Sequence, residues 1–84
     1  MGNPRKKIAG VGATLKEFRQ KAELSQDELA GRMDVGTSYI SMLEGGKRYP
    51  SIEMLIRIAL ALEVSPGDIL NRIAEGYTPR EQGK

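Results

Sequence analysis

Residues 24–51, LSQDELAGRMDVGTSYISMLEGGKRYPS, admit few folds, because they alternate helix-start and helix-stop signals at a spacing that only short, closely packed helices satisfy. Ser25, Gln26, Asp27 and Glu28 spell a capping box: the Ser25 hydroxyl can accept from the Glu28 amide while the Glu28 carboxylate reaches back. Leu29, Ala30 and Met33 then fall on one helical face. Asp34, Val35 and Gly36 break the run. Asp tolerates the left-handed backbone of a sharp turn, and Gly can serve as the next N-cap. A second helix, about residues 37–44, buries Ile40 and Leu43 and turns Thr37, Ser38, Tyr39, Ser41 and Met42 outward. Gly45 and Gly46 end it, and Lys47 and Arg48 follow at once.

Two helices of this length joined by so short a turn make a helix-turn-helix, with the small Ala30 allowing a close crossing. The pattern SQDELA…V..SYIS.LE.GKR.PS resembles the Cro/C1-type (XRE-type) DNA-binding regulators of bacteria and phages, over roughly residues 11–73. The resemblance implies an all-α fold, a compact five-helix bundle of the lambda-repressor-like type containing the helix-turn-helix. It implies a structural ion pair between Arg19 and Glu44, fixing the first helix against the third. It also makes Thr37, Ser38 and Met42 the base-reading positions.

A recognition helix enters the major groove with its N-terminal residues at the base edges. Thr and Ser hydroxyls discriminate weakly there; Met42 or the Thr37 methyl could meet a thymine methyl. This face carries no Arg, Gln or Asn for a bidentate base contact. Specificity is therefore expected to be shared among modest direct contacts, DNA shape and water. Phosphate contacts are better supplied. Gln26 sits in a first helical turn, where amides and the helix dipole favour an anion. Tyr39 and Ser41 can donate from the recognition helix, and Lys47 and Arg48 should lie along the adjacent backbone.

The flanking segments organise around this unit. Residues 1–10 hold Gly, Pro and the run Arg5-Lys6-Lys7, and read as a flexible basic arm, either solvated or lying on DNA. Residues 11–74 form the DNA-binding and dimerisation domain, and residues 75–84 a flexible tail. Val11, Leu15, Phe18 and Ala22 repeat at helical spacing, predicting a first helix over 11–22 with Phe18 in the core. Glu23 and Asp34 stand where the family often has Gly, and Gly31 within a helix costs about 1 kcal/mol against Ala; together these suggest modest stability.

Ser51 caps a fourth helix, about 52–62, with Leu55, Ile58, Ala59 and Leu62 as its core stripe. Between residues 52 and 63 only Glu53, Arg57 and Glu63 are polar, so the helix should be buried almost all round. Ser65, Pro66 and Asp68 start a fifth helix, in which Ile69 and Leu70 are expected to close the domain. Ile56, Leu60 and Ile73 then look surplus to one small core and are assigned to a homodimer interface; the alternative is a central fourth helix whose apolar residues fill the monomer.

At 84 residues and a net charge of +2, the chain is one small domain with a marginal core, and its charge permits nucleic acid without requiring it. It has no Cys and no His, hence no disulfide or thiolate site and neither the commonest metal ligand nor the commonest general base, and no metal site is assigned. No catalytic constellation, cofactor motif or small-molecule site emerges, and no apolar run is long enough to span a membrane. The expectation is a cytoplasmic, dimeric regulator of transcription, a repressor reading a palindromic operator in double-stranded DNA. It would be of the phage-repressor, restriction–modification-controller or antitoxin type. The alternative is an adaptor that keeps this fold and binds a protein partner.

Overall fold

Serine hydroxyls start three of the five helices. In the computed structural model, which describes residues 8–77, the order is α1 Val11–Lys21, α2 Gln26–Met33, α3 Thr37–Glu44, α4 Ile52–Leu62 and α5 Pro66–Glu75. No strand occurs among the described residues. Ser25 and Glu28 close the capping box ahead of α2, the Ser25 hydroxyl accepting from the Glu28 amide at 3.0 Å and the Glu28 carboxylate from the Ser25 amide at 2.7 Å. Ser51 caps α4 through the Met54 amide, and Ser65 caps α5 through the Gly67 amide with Pro66 at the first helical position.

The helix ends repeat a second device. Glu23, Asp34 and Glu63 all adopt left-handed backbone, with φ of 61, 59 and 60°. After each, an aliphatic residue sends its amide five residues back: Leu24 to Arg19 O, Val35 to Ala30 O and Val64 to Ala59 O. These are Schellman closures, usually built on Gly. Leu24, Val35 and Val64 pack against the core, so each apolar residue folds the chain back over its helix. The turn at Glu23 is thus the ordinary one, made by a residue that favours it less.

The core lies where α1, α2 and α3 meet α4 and α5, and is filled by Leu29, Ile40, Leu43, Ile58 and Ile69. The first helix crosses the end of α3 at Gly12, where an added β-carbon would stand 2.5 Å from the Glu44 carbonyl oxygen and 2.6 Å from that of Leu43. Two clasps join α2 to α4: Arg57 donates to Met33 O at 2.8 Å, and Arg32 to Ala61 O at 2.9 Å.

Several expectations need correction. Phe18 packs against the core but is only half-buried, under the Lys21 ammonium, and Ala22 is exposed at the helix end. Thr14 and Arg19 are buried beside Val11 and Leu15 on the inward face of α1. Helix α4 buries one face only, leaving Ile52, Ile56 and Leu60 at the surface. In α5 the roles of two residues are exchanged: Ile73 is core at 6% exposed, whereas Leu70 is 58% exposed. The cap at Ser65 sets the helix phase, and Ile73 follows Ile69 by one turn onto the same face; Leu70 lies about 100° round. Ile73 is therefore removed from the outward-facing set.

At the ends of the domain, the Ile8 amide donates to the Tyr49 hydroxyl at 3.1 Å, Gly10 precedes α1, and Glu75 belongs to α5. The run Arg5-Lys6-Lys7 and residues 78–84 lie outside the described residues.

Candidate nucleic-acid interface

The outward face of the helix-turn-helix begins at the turn. Asp34 in left-handed backbone reverses the chain, Val35 packs inward, and extended Gly36 (φ −75°, ψ 149°) opens α3 without a side-chain cap. Ile40 and Leu43, each 1% exposed, hold α3 by one side. Thr37, Ser38 and Ser41 are exposed on the other, with Tyr39 and Met42 half-buried beside them.

One carboxylate anchors this helix. Glu44 Oε2 accepts from Arg19 Nε at 2.6 Å, and Glu44 Oε1 accepts from both Arg19 Nη2 and Gln26 Nε2 at 3.0 Å. The remaining guanidinium nitrogen, Arg19 Nη1, donates to Leu24 O at 2.7 Å. The hydrogen bond to Glu44 raises the Arg19 pKa above its ordinary value, against the opposing pull of desolvation. Glu44 thus ties the end of α3 to α1 and to the first turn of α2. Gln26 is half-buried in this network, and its bond to Glu44 uses one of its two amide protons.

Beyond α3, Gly46 turns left-handed at φ 81°, and the Lys47 and Arg48 amides both donate to Met42 O, at 2.9 and 3.1 Å. The two basic residues are thereby wound back against the helix they follow. Both side chains are exposed, and the Arg48 guanidinium lies 5.3 Å from the centre of the Tyr39 ring, a cation–π contact.

At the opposite end of α3, the Thr37 hydroxyl donates to the Asp27 carboxylate. Neither this contact nor the seat of Gly12 under α3 follows from the motif, although a Gly inside a helical run is a signal of close approach. Of the residues assigned to a homodimer, Ile56 and Leu60 (68% exposed) remain outward, and Ile52, at 76%, extends their row by one turn. Among the described residues no group of three or more acidic residues could hold a metal ion, and no helix is long and apolar enough to cross a membrane.

The helix-turn-helix family model HTH_3 matches residues 15–69. An uncharacterised HTH-type transcriptional regulator of Mycobacterium tuberculosis is 41% identical over 54 residues. That match covers 64% of this chain and 39% of the length of the mycobacterial protein. Control protein C.BamHI of Bacillus amyloliquefaciens is 36% identical over 61 residues, covering 71% of this chain and 75% of its own. The crystal structure of the clp gene regulator ClgR from C. glutamicum superposes with a TM-score of 0.77 at 32% identity, over 84% of this chain and 92% of that one.

Proposed function

The chain belongs to the HTH_3 helix-turn-helix family of transcriptional regulators, and from that premise we propose that it is a dimeric repressor reading a palindromic operator through the major groove. The observation that carries this reading is the one-sided anchoring of α3. Ile40, Leu43 and the Arg19–Glu44–Gln26 network hold one side, while Thr37, Ser38 and Ser41 face solvent on the other. Thr37, Ser38 and Met42 are assigned to base edges. Gln26, Tyr39, Ser41, Lys47 and Arg48 are assigned to phosphates.

One such helix covers too few base pairs for useful specificity. Two related by a dyad read half-sites about one helical turn, roughly 34–36 Å, apart. Ile52, Ile56 and Leu60 of α4, with Leu70 of α5, are the surface assigned to that pairing, because they are the large apolar side chains left exposed on the last two helices. Regulation by promoter occupancy, in the cytoplasm and without a small-molecule ligand or catalysis, completes the reading. The short hydroxyl side chains on α3 keep one rival in play, an adaptor that binds protein through the same face.

Binding to duplex DNA across a salt series separates the two readings. The wild-type affinity should fall steeply with salt, and a Lys47→Ala/Arg48→Ala variant should bind more weakly with a slope shallower by about two. An unchanged slope would remove both residues from the phosphate contacts. No salt-sensitive binding at all would favour the adaptor.

A further inference from the structure

We propose that Asp27 and Thr37 act as one specificity unit that selects a base presenting an amino group, cytosine first, at one position of each half-site. This deepens the DNA-binding reading and rests on it. Thr37 is the first residue of α3 and Asp27 the second of α2, and the hydrogen bond between them ties the two helix starts together. Both residues are exposed. Neither is needed for capping: Ser25 and Glu28 already close the start of α2, and the α3 N-cap is Gly36, with no side-chain bond.

The chemistry follows from where the single hydroxyl proton goes. With that proton committed to Asp27, the Thr37 oxygen has only lone pairs left to offer. An ionised carboxylate is likewise an acceptor only. The pair therefore presents acceptors and a negative charge, and no donor. In the major groove, guanine shows N7 and O6 and thymine shows O4, all acceptors, and these meet like against like. Cytosine shows the N4 amino donor, and adenine shows N6–H beside an N7 acceptor. Cytosine is the one base whose polar edge there is donor alone. A threonine without the aspartate would rotate its hydroxyl to suit either kind of edge, so Asp27 converts a permissive contact into a selective one.

The experiment is parallel selection from random duplexes with the wild type, Asp27→Asn and Thr37→Val, each checked by thermal unfolding. Asparagine keeps the shape and can still accept from Thr37, but it loses the charge and adds an amide donor. The wild type should prefer cytosine over guanine by about tenfold or more at one position per half-site. Asp27→Asn should lose that preference and admit adenine, which an Asn side chain can bind in bidentate fashion. Thr37→Val should flatten the same position, and all other positions should hold in both variants. Identical base preferences in wild type and Asp27→Asn would overturn the proposal while leaving the DNA-binding reading standing. No enriched sequence for the wild type would overturn both.

Discussion

Arg19 and Glu44 meet as a two-pronged ion pair, 2.6 Å from Nε to Oε2 and 3.0 Å from Nη2 to Oε1, with their side chains 9% and 4% exposed. The pair joins α1 to the end of α3 and carries Gln26 with it. Every guanidinium nitrogen and both carboxylate oxygens are used, which is what allows two charges to sit out of water.

Removing Arg19 leaves the Glu44 carboxylate buried with only the Gln26 amide to meet its charge. Arg19→Ala should therefore cost about 3–5 kcal/mol, enough to threaten a domain of this size. An Arg19→Met/Glu44→Met double change should recover much of the loss, since an apolar pair requires no desolvation of charge. Urea unfolding of the three chains checks this. A loss below about 1 kcal/mol for Arg19→Ala would place the pair among ordinary surface bridges.

Gly12 and Gly31 are both helical, yet their environments differ. A β-carbon on Gly12 meets backbone carbonyls of α3, whereas Gly31 has open space around it. Gly12→Ala should destabilise by about 1–3 kcal/mol, as overpacking does. Gly31→Ala should stabilise by about 1 kcal/mol through helix propensity. Opposite shifts in unfolding temperature would be the signature.

Acidic residues in left-handed backbone carry two small penalties. The β-carbon crowds the following carbonyl, and the charge faces the negative end of a helix. Glu23→Gly and Glu63→Gly should each stabilise the fold by about 0.5–1 kcal/mol. Asp34→Gly should gain less, because Asp tolerates this conformation better. Denaturant midpoints of the three single variants would show the order.

These turns also show what can be read from a chain of this kind. The triplets Glu23-Leu24-Ser25, Asp34-Val35-Gly36 and Glu63-Val64-Ser65 repeat one scheme: a left-handed residue, an aliphatic that folds inward, and the next N-cap. The caps were legible because a serine beside its target amide is local chemistry. The scheme of Glu23 and Asp34 recurs at Glu63. Apolarity alone does not separate Leu70 from Ile73; the four-residue spacing of Ile69 and Ile73, with the phase set by the Ser65 cap, does. The Asp27–Thr37 contact needs the crossing of α2 and α3, which spacing along the chain does not specify. The Arg48–Tyr39 contact depends likewise on the wound-back loop after α3.

Leu60 tests the pairing surface without touching the core, since it is largely exposed on α4. A Leu60→Glu chain should keep its helical content, move from twice the 9.2 kDa chain mass to that mass in sedimentation, and lose affinity for a two-half-site duplex. A wild-type chain already at the single-chain mass when bound to such a duplex would contradict the pairing.

Selection of random duplexes by the wild-type protein at about 150 mM salt, followed by sequencing, tests the central claim most directly. The expected result is an inverted repeat whose half-sites lie about 10–10.5 base pairs apart, as two α3 helices related by a dyad require. A pool with no enriched sequence, or a single unrepeated site, would contradict reading by a symmetric pair.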